Sequence, residues 1–385
     1  MIQVIEFLQR FEERYREKIE VLYYVLFGLI FTYSFYLTTL FDIPILYRTL
    51  TLLAYGATAL LVPVCLLSIV ATKNKKVAII KLLIVALAVF QQLYLSRFKM
   101  SAIELLVVGA SDKSFTKILK IYLYIGIVMM IAAFIGSVTG FLPDFVDGHR
   151  HNYGIVYSLD CAAHYLYLLI AAHMLYFKKY KWVMFVVTCI FSLIVWFLIE
   201  AKTSMVLFLI FSIFTLYFVL DPKQRILKNK PTEWFLIGSF IIFFIIITVL
   251  TLSYTPEFYQ IPFFAKWRTL TWRLQLGKRA LTEYPIRLFG QQIYENINHE
   301  SPKDYFLIDC SYIRCLLMYG LTHFIFLMSA HTIIQKKLIQ QKFHIFAFML
   351  MLIAIHSTME ILLLDIAYNV FILMLFAKID IPSLE

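Results

Sequence analysis

Long, uninterrupted apolar runs are the feature that most constrains the fold of this chain. A helix needs about 20 apolar residues to cross a bilayer core of about 30 Å. The 385 residues, 62% hydrophobic and 15% charged, supply one such run after another. The runs show no alternation of period two, which excludes an outer-membrane β-barrel. The sequence therefore predicts an all-α, polytopic helical membrane protein without a large soluble catalytic domain.

The hydropathy of the chain predicts about twelve transmembrane helices joined mostly by short loops. Their predicted limits are 21–41, 49–71, 78–95, 100–111, 118–141, 155–177, 181–199, 203–220, 233–253, 311–334, 344–360 and 361–378. The short run at 100–111 is included because its crossing places the lysine-rich loops on the cytoplasmic side, as the positive-inside rule requires. Arg97 and Lys99 then lie outside, against the rule, so a re-entrant segment with a shifted helix count is the alternative.

These helices divide the chain into five parts. Residues 1–20 form a cytoplasmic interfacial helix, 21–253 contain helices 1–9, 254–310 form a large extracytoplasmic loop, 311–378 contain helices 10–12, and 379–385 are a cytoplasmic tail. Most of the net charge of +11 lies in the short inner loops, so topology explains it and no nucleic-acid partner is expected. The five cysteines lack metal-ligand spacing, and neither a metal ion nor another cofactor is expected.

The large loop contains an amphipathic stretch at 263–281. A helical step of 100° places its apolar side chains on one side: Phe263, Trp267, Leu270, Leu274 and Leu281. Lys266 and Arg273 flank that side, and Arg268 and Arg279 lie roughly opposite. Such a helix lies on the outer membrane surface. In one interpretation, its cationic side chains extend past the apolar side into water. In the other, they bind an anion, because one guanidinium group can donate to two phosphate oxygens at once.

A second outward segment, 147–154, carries Arg150 and His151 and leads into a span that contains Asp160 and His164. Ionisable groups inside a span are costly unless paired or hydrated, so they are candidates for function. Asp160 and His164 are four residues apart, on one helical face. They form either a structural pair or a proton-handling site in a wet cavity.

Two further polar groups interrupt the apolar runs. The stretch 200–204, Glu-Ala-Lys-Thr-Ser, predicts a tight outward turn that includes Lys202 and that equally suits an ordinary membrane interface. In the last hairpin, His356, Glu360 and Asp365 lie near the outer surface or between helices. They either support the basic loop electrostatically or pair helices.

Four stretches together resemble the Wzy-type oligosaccharide repeat-unit polymerases of the O-antigen polymerase/ligase superfamily, particularly those of Gram-positive capsule and exopolysaccharide loci. They are Arg150-His-Asn-Tyr-Gly154 with the following Val156 to His164, Glu200-Ala-Lys202-Thr203, Arg279 to Gly290 with its Pro-Ile-Arg-Leu-Phe-Gly ending, and Ile308-Asp309-Cys-Ser-Tyr312 through Tyr319-Gly320-Leu321. The resemblance covers about 145–370. This chain departs from the family pattern at Asp160, where Asn is frequent, and at Lys202, where Arg is commoner.

The resemblance implies a metal-independent, GT-C-like glycosyltransferase in the bacterial cytoplasmic membrane. It would join oligosaccharide units carried on undecaprenyl pyrophosphate at the outer face, with a flippase and a chain-length regulator as partners. Under this hypothesis cationic side chains hold the pyrophosphate, namely Arg150, Arg273, Arg279, Arg268 and Lys202. The base that takes the acceptor proton is Asp160, His164 or His151.

Two other functions remain open at this point. A ligase of the same superfamily transfers a finished glycan to another acceptor, and the sequence does not separate it from a polymerase. A multi-span transporter or flippase of lipid-linked glycans would use Asp160 and His164 as a proton relay. The chain shows no inverted repeat, and it gathers arginines in one outer loop rather than at mid-membrane.

Overall fold

The computed structural model of the chain describes residues 2–96, 98–144, 150–221, 224–296 and 305–382, and within them every extended regular element is helical. The α-helices are α1 (Ile2–Tyr36), α2 (Pro44–Ala71), α3 (Lys75–Leu95), α4 (Phe98–Gly109), α5 (Phe115–Val138), α6 (Ser158–Tyr176), α7 (Lys181–Ile194), α8 (Lys202–Leu220), α9 (Lys230–Ser253), α10 (Pro262–Lys266), α11 (Arg268–Glu283), α12 (Ser311–Arg314), α13 (Leu321–Gln340) and α14 (His344–His356). The all-helical prediction is thus confirmed for the described part of the chain.

Eight helices in the described residues are long and apolar enough to cross a membrane. They are α1 from Glu6, α2, α3, α5, α6, α7 with the π-helical turn that continues it to Ile199, α8 and α9. Each of the eight corresponds to one of the predicted spans. A long apolar segment forms a helix in lipid because a helix satisfies all of its own backbone hydrogen bonds. The chain is accordingly a helical, multi-pass membrane protein.

The count of twelve spans is not confirmed. The helix α4 has 12 residues and is about 18 Å long, too short for a bilayer core. The predicted span 311–334 is divided at Gly320, and 344–360 becomes the 13-residue α14. The predicted span 361–378 contains two short 3₁₀ turns, Ile361–Leu364 and Val370–Leu375, instead of an α-helix.

The chain folds as two compact units. Unit 1 contains Met1–Leu220 and Asp365–Glu385, and unit 2 contains Asp221–Leu364. In unit 1, α4 packs against α1, α2 and α3. Its side chains from Met100 to Gly109 are buried, and the Tyr23 hydroxyl of α1 donates to the Leu106 carbonyl at 3.0 Å. Burial inside unit 1 lets so short a helix persist, because protein rather than lipid surrounds it.

One end of unit 1 brings the lysine-bearing start of α5 next to α1 and to the last described residues. Lys117 lies 3.0 Å from Glu20, and the Ser114 hydroxyl donates to Asp380 at 2.6 Å. The 24 residues of α5 carry the chain about 36 Å from this end. The positive-inside rule predicts that this lysine-bearing end faces the cytoplasm.

Other segments meet at the opposite end of unit 1. The amide of Val156 donates to the Thr38 carbonyl at 2.8 Å, and the amide of His151 donates to the Leu198 carbonyl at 2.9 Å. The segment that contains His151 therefore lies at the end remote from the lysines.

The first turn of α4 carries Lys99, a half-exposed cation that the predicted topology places outside, against the positive-inside rule. Its ammonium group forms an ion pair with the Asp365 carboxylate, which is buried in the same unit. The departure from the rule is thus compensated by a neighbouring negative charge.

In unit 2, α9 packs against α13 and α14. At the lysine-rich end, His344 at the start of α14 lies 2.8 Å from Glu233 in the first turn of α9. At the other end of α9, the Tyr254 carbonyl accepts a 2.7 Å hydrogen bond from Lys278 in α11. The amphipathic helix therefore lies at the end of unit 2 that is remote from the basic loops.

Candidate functional site

A histidine and an aspartate form a close pair at the remote end of unit 1. The Nδ1 atom of His151 lies 2.6 Å from Oδ2 of Asp144. The other carboxylate oxygen, Oδ1, accepts hydrogen bonds from the backbone amides of Asn152 at 3.0 Å and Tyr153 at 3.1 Å. Burial raises the pKa of Asp144, but the hydrogen bonds from His151 and from these two amides outweigh it, so the pKa is lowered. The pair is a carboxylate-oriented imidazole.

The chain reverses direction immediately after this histidine. Tyr153 and Gly154 both have left-handed backbone angles, with φ of 49° and 76°. A Cβ atom on Gly154 would lie 2.6 Å from the Ala133 carbonyl oxygen, so glycine is required where the turn meets α5. The imidazole of His151 stacks on the Tyr153 ring, with ring centres 5.2 Å apart. The turn thus fixes the ring, while 35% of the His151 side chain stays exposed.

A π-helical turn, Val195–Ile199, supports the same segment. The amide of Glu200 bonds to the Val195 carbonyl, five residues back, and the Leu198 carbonyl accepts from His151. Glu200 has a φ of 51°, which ends the helix in the tight turn that the sequence predicts. Such π turns are frequent at functional sites. The resemblance stretch 150–164 therefore contacts the π-helical turn that leads directly into the second stretch, 200–203.

The two cations expected in this unit differ in exposure. Arg150 is half-buried beside the His151 pair, and Lys202 is exposed in the first turn of α8. Neither side chain has a partner among the described residues.

The other two candidate bases lie elsewhere in unit 1. His164 is fully buried, and its ring lies between Phe35 at 4.0 Å and Tyr368 at 4.3 Å. Its Nε2 atom pairs with the Thr38 hydroxyl at 2.8 Å, and Nδ1 has no hydrogen-bond partner. The structure thus pairs His164 with Thr38, and the alternative of a structural pair between Asp160 and His164 is not confirmed. Asp160 is half-buried in the first turn of α6.

In unit 2, Arg273 is buried in a cluster of charges. Its Nε donates to Asp309 at 3.0 Å, and its Nη2 donates to Glu360 at 2.9 Å. Only 8% of the Arg273 side chain is exposed. Burial lowers the pKa of Arg273, but the two carboxylates outweigh burial, so the pKa is raised overall. For Asp309, burial raises the pKa and outweighs the lowering effect of Arg273. Arg273 thus lies inside the fold, not at the flank of an exposed helix as predicted.

The helix α11 begins later than predicted and buries a different face. Trp267, with φ of −100° and ψ of 54°, ends α10, so Phe263 is not part of α11. Its buried residues are Thr271, Leu274, Leu276, Gly277 and Ala280, of which only Leu274 belongs to the predicted apolar side. A Cβ atom on Gly277 would lie 3.0 Å from the Thr251 methyl group, which shows how closely α11 approaches α9.

The remaining two arginines of α11 point away from this buried face, as the helical step predicts. Arg268 is exposed and has no partner among the described residues. Arg279 is 42% exposed, donates to Glu283 at 2.8 Å and lies over the Phe306 ring at 4.9 Å. Both remain accessible to an anion, although Arg279 must share its charge with Glu283.

The other two resemblance stretches meet within unit 2. The amide of Leu321 donates to the Arg287 carbonyl at 3.0 Å, and the amide of Gln291 donates to the Met318 carbonyl at 3.2 Å. Met318 lies in a second π-helical turn, Cys315–Tyr319. Gly290 and Gly320 approach so closely that a Cβ atom on Gly320 would lie 2.2 Å from the Gly290 nitrogen. Both units thus contain the same local arrangement, in which a backbone amide of a neighbouring segment donates to a carbonyl of a π-helical turn.

Sequence reasoning missed three carboxylates or their roles. Asp144 lies just before the quoted segment, and Asp309 was quoted only as part of a motif. Glu360 was expected to support the basic loop, and its bond to Arg273 agrees with that alternative. Among the residues that the structure describes, no three His, Cys, Asp or Glu side chains gather closely enough to hold a metal ion.

Comparison with known proteins gives no match among family models, curated proteins or solved structures. A functional assignment therefore depends on the residues and geometry of this chain.

Proposed function

We propose that the protein is a membrane glycosyltransferase that polymerises oligosaccharide units carried on undecaprenyl pyrophosphate, at the outer face of the bacterial cytoplasmic membrane. One observation carries the proposal. The imidazole of His151, oriented by Asp144 and partly exposed, lies beside Arg150 at the end of unit 1 remote from the lysine-bearing loops. A base and a cation are what the transfer of a sugar from a diphosphate leaving group requires.

In the proposed reaction, a hydroxyl oxygen of the acceptor sugar forms a bond to the anomeric carbon of the donor chain. The hydroxyl proton passes to Nε2 of His151. The bond between the anomeric carbon and the phosphate oxygen breaks, and its electron pair leaves with the lipid diphosphate. Arg150 stabilises the charge that develops there, because a guanidinium group donates to two phosphate oxygens at once.

The other cations take different parts in the proposal. Lys202, Arg268 and Arg279 are exposed and remain candidates for contact with the diphosphate. Arg273 is assigned an anchoring role instead, because its guanidinium group is already engaged by two carboxylates. The base is His151 rather than the fully buried His164.

The test compares the variants Arg150→Ala, Arg150→Lys and His151→Gln at equal expression, with Arg225→Ala, an exposed arginine at the lysine-rich end, as a matched control. The surface glycan is separated by length on a gel. We expect single repeat units from the three variants and long chains from the control, with a loss of about 10²–10³ in rate for Arg150→Ala.

Other outcomes would favour the alternatives. Long chains that stay on the lipid carrier in the His151→Gln variant would indicate a ligase. Long chains with reduced delivery of units to the outer face would indicate a transporter. Wild-type chain lengths in every variant would refute the proposed site.

A further inference from the structure

We propose that Asp144 is the positioning residue that selects which nitrogen of His151 accepts the proton. The inference deepens the proposed function and rests on it. Asp144 holds the proton of the neutral imidazole on Nδ1, and Nε2 is thereby left as the acceptor for the hydroxyl proton of a sugar.

The hydrogen bonds around the carboxylate define this role. An ionised carboxylate accepts hydrogen bonds and donates none. Oδ1 of Asp144 is held by the amides of Asn152 and Tyr153, so the group cannot rotate away, and Oδ2 faces Nδ1 of His151 at 2.6 Å. The Nδ1 atom must therefore be the donor. In a neutral imidazole the other nitrogen, Nε2, then carries a free lone pair.

The remaining contacts keep the ring in one orientation. The backbone of His151 is fixed by the Leu198 carbonyl, and its ring lies nearly parallel to that of Tyr153, with 15° between the planes. Tyr153 in turn contacts Phe134 of α5, with ring centres 5.4 Å apart. No described residue forms a hydrogen bond with Nε2 of His151, so this nitrogen is available to substrate.

The carboxylate also favours the product of proton transfer. When Nε2 takes the hydroxyl proton, the ring becomes an imidazolium cation next to the Asp144 carboxylate, which stabilises it. The same arrangement operates in serine hydrolases, where exchange of the orienting aspartate for asparagine lowers kcat about 10⁴-fold by imposing the wrong tautomer. We expect a loss of about 10²–10⁴-fold here.

The Asp144→Asn variant separates a positioning role for Asp144 from a purely structural one. An asparagine at 144 still offers Oδ1 to the amides of Asn152 and Tyr153, so the turn keeps its backbone bonds. Its amide group donates, and this forces Nδ1 of His151 to accept and moves the ring proton to Nε2. The Asp144→Asn variant thus changes the tautomer while it preserves the fold of the segment.

The experiment uses the full chain in lipid vesicles, supplied with undecaprenyl-pyrophosphate-linked units. It measures kcat, KM and melting temperature for Asp144→Asn, His151→Gln and the double variant, with Asp42→Asn, an exposed aspartate, as a matched control. We expect Asp144→Asn to lower kcat by at least about 100-fold with KM unchanged, while the variant stays folded and loses only the modest stability that the ionised carboxylate contributes at neutral pH. The double variant should be no slower than His151→Gln alone, because the two residues act as one unit.

Two results would overturn the inference. One is an Asp144→Asn variant within twofold of the wild-type rate, and the other is a double variant slowed by the full product of the two single effects. Nitrogen-15 NMR of the His151 ring provides a separate measurement, in which Nδ1 is protonated in the wild type and Nε2 in Asp144→Asn. If His151→Gln keeps full activity, the proposed base is wrong, and the NMR result still decides whether Asp144 sets the tautomer.

Discussion

Replacing Arg273 with alanine separates two roles for this residue, a ligand of the substrate diphosphate and an anchor for α11. As a ligand, it would be needed for activity while the fold stayed intact. As an anchor, its loss leaves the carboxylates of Asp309 and Glu360 buried without a compensating charge. The structure favours the anchor, because both carboxylates lie within 3.0 Å of the guanidinium group.

The expected loss follows from the burial of this cluster. Removing one partner of a buried ion pair destabilises a protein by about 3–5 kcal/mol. At about 2 °C per kcal/mol, the melting temperature should fall by about 6–10 °C. The matched control is Arg268→Ala on the same helix, whose exposed side chain has no described partner. That change should stay within about 0.5 kcal/mol of the wild type.

The assay is thermal unfolding of the purified chain in detergent. A triple variant, Arg273→Met with Asp309→Asn and Glu360→Gln, removes all three charges together and should recover most of the lost stability, because no uncompensated charge remains. If Arg273→Ala melts like the wild type and glycan chains nevertheless shorten, the anchor role is wrong and a ligand role is supported.

Three further predictions concern single contacts. Gly320→Ala should lower the free energy of unfolding, measured by thermal melts, by at least about 2 kcal/mol more than Gly140→Ala. Both glycines have a positive φ, which is 77° at Gly140, but a Cβ atom at 320 would collide with Gly290, whereas the space around Gly140 is open. Lys99→Met should lower the free energy of unfolding by about 3 kcal/mol, and the double variant with Asp365→Asn should recover most of that loss. Additive losses from the two changes would contradict the ion pair. Folding lowers the pKa of Asp144, so its carboxylate should contribute stability above about pH 4 that is lost as the pH falls through the pKa of the folded state. In a plot of melting temperature against pH, Asp144→Asn should therefore flatten the acid side.

The eight long apolar helices could be predicted from the sequence, although α1 and α2 begin earlier than the predicted spans 21–41 and 49–71. The predicted span 203–220 is the helix Lys202–Leu220, and 78–95 is Lys75–Leu95. About twenty apolar residues in lipid have one way to satisfy their backbone groups, so composition alone decides these elements.

The last predicted span failed for a local reason. At 361–378 the sequence is apolar enough, but the Asp365 carboxylate accepts a hydrogen bond from the amide of Ala367 at 2.9 Å. Such side-chain bonds compete with the helical ladder. The ion pair of Asp365 with Lys99 joins residues far apart in the chain, and hydropathy carries no information about it.

The candidate site was predictable in its residues and not in its pairing. His151 and Arg150 stood out as polar residues in an outward segment. The partner of His151 is seven positions earlier, in a stretch without helical or strand periodicity, so spacing does not relate the two. Asp160 and His164 do lie on one helix, but His164 pairs with the hydroxyl of Thr38, just after the end of α1, a contact that helical spacing cannot indicate.

The enclosure of α4 has a consequence for how the protein is made. Besides α1, α2 and α3, this helix contacts the turn Val370–Leu375, which the ribosome synthesises only after all of unit 2. At 12 residues, α4 cannot settle across the lipid by itself while it waits. Its contacts with α1, α2 and α3 can form as soon as it is made, but the contact with this turn, and with it the completion of unit 1, must wait until translation has passed residue 370.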